Sequence, residues 1–213
     1  MATRTAPPPP LESGDHLSRR EFHRRYLARP DIKRAELIEG VVYVSSPVSA
    51  DHSLPHASVI GWLYVYKSRT PGVALADNGT ILMGDDSEVQ PDACLYREPP
   101  HGNVRVIVKE RGTRYLQGAP GLIVEVAVSS ASYDLHSKLR LYEGMGVPEY
   151  VVWQVYERRI DWFRLSNGRY VRVEPDKRGV IESSVFPDLR LAVAKLLAGD
   201  DAGVIAELLD AQR

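Results

Sequence analysis

Glu125 interrupts the apolar run LIVEVAV at residues 122–128 and places a carboxylate in a segment whose Val and Ile content is that of a strand covered on both faces. Desolvating a carboxylate is costly unless it is hydrogen-bonded, paired with a cation or bound to a metal. A Glu near a strand end, its head in solvent, is the plain alternative. Upstream, Pro91-Asp92 opens another strand. Two carboxylates offered by neighbouring strands suit a hard divalent cation such as Mg²⁺, which takes oxygen ligands and is usually held by one or two carboxylates. Such a metal activates water and stabilises charge developing at a phosphate.

Downstream, Asp134, Lys138 and Tyr142 follow one another at helical i, i+4 spacing and so share a helix face. The helix leaving the Glu125 strand would then present Lys138 toward the carboxylates, where it would orient an attacking water or stabilise a phosphorane-like transition state. Taken alone, Asp134 with Lys138 reads sooner as an ordinary surface pair. His52 and His56 form an HxxxH pair, a spacing that on a helix can hold zinc. No Glu follows His52, Pro55 interrupts the turn between them and no third ligand is evident, which argues against zinc. His56 is left as a substrate contact or helix cap, and His52 as a loop residue. Arginines 19, 20, 24, 25 and 29, with Lys33 and Arg34, would line a phosphate backbone or form a solvated helix face.

These side chains need a scaffold. Ser18 and Glu21 have capping-box spacing and open a short basic helix that Pro30 closes. RAELIEGVVYVSSP reads as two strands around Gly40. A helix follows with Val59, Leu63 and Tyr66 on its apolar side, ended by Pro71-Gly72. Short strands are expected at 73–76, 80–83 and 93–96, then a polar, Gly-containing loop at 98–120, then the Glu125 strand. A second amphipathic helix carries Leu135, Leu139 and Tyr142, with Gly144 or Gly146 as its stop. VPEYVVWQVY is a strand, and RRIDWFRLSNGRYVRVEP a hairpin turning at Asn167-Gly168. One or two short helices close the chain from Leu191. Trp153, Trp162 and Phe163 alternate with polar residues and read as sheet packing rather than base-stacking platforms. The class is α/β, with a mixed central sheet flanked by helices.

At 213 residues and 44% hydrophobic content, one core domain over 17–213 is expected, after a Pro-rich disordered or extended tail at 1–16. A formal charge of −1 supplies no overall basic field for nucleic acid, so such binding would rest on local patches. Cys94, the sole cysteine, excludes a disulfide framework or cysteine-cluster metal site and reads as a small buried hydrophobe in a chain of the reducing cytoplasm. No segment reaches the roughly 18 consecutive apolar residues of a membrane span.

Glu36 in AELIEG, His56, Pro91-Asp92, Glu125-Val126, Asp134 with Lys138, and GVPEYVVW occur in an order and spacing that resemble the Uma-type family of restriction endonucleases, a branch of the PD-(D/E)XK nuclease superfamily. The resemblance covers roughly residues 20–195. It implies a restriction-endonuclease-like core with an additional β-hairpin region, and Mg²⁺- or Mn²⁺-dependent hydrolysis of phosphodiester bonds in DNA. Asp92 matches the motif aspartate and Glu125 the (D/E) position. The superfamily's lysine stands two residues after that acid, where this chain has Ala127; the resemblance implies that the role passes to a helix lysine, which would be Lys138. Glu36 is similar to an acidic residue that some members add as a further metal ligand. AVSSASY lacks the Ser-Pro-Ser type turn common in the family, and Gln154 stands where an acid often follows the Tyr-Trp strand. Three readings remain: a DNA endonuclease, expected as a homodimer so that two sites meet both strands; an inactive relative that binds nucleic acid or protein; and a hydrolase of smaller phosphoesters.

Overall fold

The computed structural model describes residues 8–108, 112–128 and 134–211, with Asp134 by its backbone alone. Ser18 caps helix α1 (Arg19–Leu27), its Oγ accepting from the Glu21 amide, as the capping spacing requires. Strands β1 (Ala35–Ile38) and β2 (Val41–Val44) pair antiparallel across Glu39-Gly40, whose φ angles of 48° and 80° are those of a tight hairpin turn. Residues from the Pro-rich segment run beside β2: Leu11 is buried, and the Gly14 amide donates to the Val42 carbonyl.

Helix α2 (Ala50–Arg69) follows, then β3 (Val73–Asp77), β4 (Ile81–Met83), β5 (Ser87–Val89) and β6 (Ala93–Arg97). The stretch expected as a loop at 98–120 instead holds a hairpin, β7 (Arg105–Val108) and β8 (Arg114–Gln117). Its strands are largely exposed, so they lack the buried, alternating pattern by which a strand is recognised. Strand β9 (Leu122–Ala127) carries Glu125. The chain returns through a π-helical turn (Asp134–Lys138) and helix α3 (Leu139–Gly144) to β10 (Glu149–Gln154), which lies parallel to β9. Strands β11 (Arg159–Ser166) and β12 (Arg169–Val173) form the hairpin expected at Asn167-Gly168. The ladder β13 (Val180–Glu182) with β14 (Arg190–Ala192) and helices α4 (Val193–Leu197) and α5 (Asp201–Ala211) complete the chain.

The class is the expected mixed α/β, but the single central sheet becomes two of six strands: β2-β1-β5-β4-β8-β7 and β12-β11-β10-β9-β6-β3. Strand alternation assigns the faces. On β9, Leu122, Val124 and Val126 join Trp62, Leu63 and Tyr66 of α2 and Trp153 and Trp162 in one core cluster. Ile123 and Ala127 face the other way, into a cluster with Leu141 and Tyr142 of α3, Tyr150, and Ile38 of β1. By the two-residue period Glu125 shares that second face. So does Glu36, two residues before Ile38, and so does Asp92, two residues before Cys94, which belongs to the same cluster. Three acids far apart in the chain are thus turned toward one interior.

Candidate active site

Antiparallel pairing of β6 with β9 sets Ala93 against Val124. Continuing that register by one residue puts Asp92 opposite Glu125, and opposed residues in an antiparallel pair project to the same face. Asp92 stands just beyond the ladder, where its side chain replaces a backbone partner: Oδ2 accepts from the Val126 amide at 2.8 Å. Glu36, Asp92, Glu125 and Lys138 are each at most 2% exposed. All four border a cavity of about 280 Å³, together with Arg34, His52 and residues 43–49.

Two cations knit the carboxylates together. Lys138 Nζ lies 2.8 Å from Glu125 Oε1 and 3.0 Å from Glu36 Oε2. Tyr142 Oη donates to the same Glu125 oxygen at 3.1 Å. Arg34 Nη1 lies 2.9 Å from Asp92 Oδ1, and Nη2 3.8 Å from Glu125 Oε2 while also donating to the Gln90 carbonyl. The Gln90 amide donates to Glu36 Oε1 at 2.7 Å, which ties the Gln90-Pro91-Asp92 turn to β1. Burial pushes the Asp92 carboxyl up, but the hydrogen bond from His52, the Arg34 charge and the Val126 amide outweigh it and hold Asp92 well below the usual carboxylate range. Burial pulls Arg34 down, and the charges of Glu36, Asp92 and Glu125 overcome that and raise it.

Of the residues singled out in the sequence, Asp92, Glu125, Glu36, Lys138 and Tyr142 are therefore brought together. Lys138 is no surface residue, so the solvent-exposed pairing with Asp134 is overturned for Lys138; the side chain of Asp134 lies outside the described residues. His56 Nε2 contacts the Asp92 carbonyl at 2.9 Å and Asp77 Oδ1 at 3.3 Å, so it braces the backbone of the turn rather than lining the cavity.

Two residues depart from the expectation. His52 is not in a loop: Pro55 sits within the first turns of α2 without breaking it, and His52 Nε2 donates to Asp92 Oδ2 at 3.2 Å. The HxxxH spacing is the available signal: two histidines one helical turn apart, both of which contact Asp92. Arg34, expected with its basic neighbours either along a phosphate backbone or on a solvated face, is instead the second cation of the site. Arg24 and Arg25 pair with Glu21 on α1, and Arg29 pairs with Asp31 beyond its end, so these three are charge-compensated at the surface. A cavity of about 630 Å³ beside α1 is larger, but it contains none of the clustered acids Glu36, Asp92 and Glu125.

The donor set facing the smaller cavity is hard oxygen, as Mg²⁺ or Mn²⁺ requires. Among the described residues no three Asp, Glu, His or Cys side chains converge as a ready-made metal cage. Lys138 and Arg34 bridge the acids instead. A pair of carboxylates, Asp92 and Glu125, is the fit that remains, and it is the number Mg²⁺ usually takes from protein.

The Uma2 family model, described as "Putative restriction endonuclease", matches residues 19–194. Among solved structures, a crystal structure described as "a putative nuclease belonging to DUF820", from Anabaena variabilis, superposes with a TM-score of 0.62 at 14% identity, covering 77% of this chain and 89% of that one. That likeness shows a shared fold. No functionally curated protein matches the chain.

Proposed function

Because the chain belongs to the Uma2 family, we propose that it is a metal-dependent endonuclease hydrolysing phosphodiester bonds in DNA, with Asp92 and Glu125 holding Mg²⁺ or Mn²⁺. The observation that carries this reading is the pairing of two buried acids, opposed across β6 and β9, with a lysine 2.8 Å from one of them and a cavity before both. A divalent ion there would supply an activated water and neutralise charge gathering on the phosphate. Lys138, fixed between Glu36 and Glu125, would orient that water or meet the developing negative charge. Tyr142 holds the Glu125 carboxylate in place, and Glu36 holds the lysine. His52 and the Val126 amide keep Asp92 ionised and aimed. The relocated lysine is supported by Ala127, whose side chain is in the apolar cluster with no amine to offer.

A second reading, a nuclease-like module that binds nucleic acid without cutting it, is favoured by one observation: the acids are compensated by Arg34 and Lys138 rather than gathered as a cage. Incubating the protein with single-stranded, duplex and structured DNA and RNA, with Mg²⁺ or Mn²⁺, separates the two. Cutting that disappears in Asp92→Asn and Glu125→Gln, and slows in Lys138→Ala, supports the endonuclease. Cutting that survives both acid substitutions overturns it, and binding with no cutting under any condition supports the second reading. A homodimer would carry two sites to the two strands of a duplex; sedimentation of the protein alone and with duplex DNA tests that assembly. No helix among the described residues is long and apolar enough to cross a membrane.

A further inference from the structure

We propose that Arg34 is an internal competitor of the metal: its guanidinium holds Asp92 and Glu125 while no substrate is present, and releasing them for a divalent ion is coupled to its capture of a substrate phosphate. This rests on the metal site proposed above and adds the residue that sets when the site fills.

Position and charge carry the argument. Arg34 lies just before β1, its side chain mostly buried, and spans the two acids with Nη1 at 2.9 Å from Asp92 Oδ1 and Nη2 at 3.8 Å from Glu125 Oε2. A cation entering between these acids must share Asp92 with a permanently charged guanidinium and be repelled by it. By formal charge, the three acids set three negative charges against two positive ones from Arg34 and Lys138. Removing Arg34 alone therefore doubles the net negative charge offered to a metal. Lys138 is already engaged with Glu36 and Glu125, at 3.0 and 2.8 Å. Arg34 also borders the cavity, and its Nε is buried with no hydrogen-bond partner among the described residues. A buried donor left unsatisfied is unfavourable, so the guanidinium gains by turning toward an acceptor that the cavity admits. Guanidinium matches a phosphate's paired oxygens as well as it matches a carboxylate's. Metal and phosphodiester would accordingly bind with positive coupling, each favouring the arrangement the other needs.

Calorimetric titration of Mn²⁺ into the wild type, Arg34→Met and Arg34→Lys, with and without thymidine 3′,5′-bisphosphate, reads this directly and needs no turnover. The wild type is expected to bind Mn²⁺ weakly alone and about tenfold more tightly with the bisphosphate. Arg34→Met should bind Mn²⁺ alone about tenfold more tightly than the wild type and lose most of the gain from the bisphosphate. Arg34→Lys, which keeps one charge but cannot span both acids, should fall between; it carries the comparison if Arg34→Met does not fold. Wild-type binding that is lost in Glu125→Gln but unchanged in both Arg34 variants overturns the competitor while leaving the metal site standing. Binding that persists in Glu125→Gln, or no binding in any variant, overturns both.

Discussion

Lys138 Nζ lies 2.8 Å from Glu125 Oε1, although Glu125 is in the middle of a buried strand and Lys138 ends the π-helical turn on the crossover to the next strand. The pair answers the cost of placing a carboxylate in β9: its charge is met by a buried ammonium and by the Tyr142 hydroxyl. Such a cluster is asymmetric in its energetics, since removing one member strands the others.

Lys138→Met should therefore destabilise the fold by about 3–5 kcal/mol in urea unfolding, because Glu36 and Glu125 are left buried without their shared cation. Adding Glu125→Gln to it should recover part of that loss. A single-variant loss well under 1 kcal/mol would mean that water already solvates these acids.

Asp92 gives a pH dependence of definite sign. Its folded-state pKa lies below the unfolded value, so the stabilisation is fully present above about pH 4 and is lost as the pH falls through the folded value. Unfolding free energy measured from about pH 6 down to about pH 2 should decline on the acid side, and Asp92→Asn should flatten that decline. An unchanged acid slope in Asp92→Asn counts against the ionised, cation-held carboxylate.

Burial pushes the Cys94 thiol up to about 12. Disulfide-exchange reagents need the thiolate and access to it, and the native side chain supplies neither. At about pH 8 the folded protein should show no labelling within the time that urea-unfolded protein labels completely. Rapid labelling of the native state would place Cys94 nearer the surface than in this fold.

Gly121 precedes β9, and a Cβ there would stand 2.7 Å from the Phe186 ring and 3.1 Å from Val185. Phe186 is fully buried, so the ring has little room to yield. Gly121→Ala should cost about 1–3 kcal/mol in thermal or urea unfolding, and Phe186→Leu in the same chain should restore some of it. If Phe186→Leu only adds to the loss, the clash is not with the ring.

Much of this molecule follows from local pattern. The Ser18 cap, the turns at Gly40 and Asn167-Gly168, the apolar side of α2 and the continuous run of β9 were legible because each depends on residues close in sequence. The lone acid in β9 announced that something compensates it, and Lys138 on the following crossover was within reach of the same kind of reasoning. What the sequence could not determine is which side chains from distant segments converge. Arg34 resembles six other basic residues in its stretch until β1 turns it toward Asp92, and His52 resembles a loop histidine until α2 continues through Pro55. The β7–β8 hairpin escaped because its exposed residues carry no burial pattern. The three acids share one face only because the registers of separate strands make their parities agree, and register is a property of the assembled sheets.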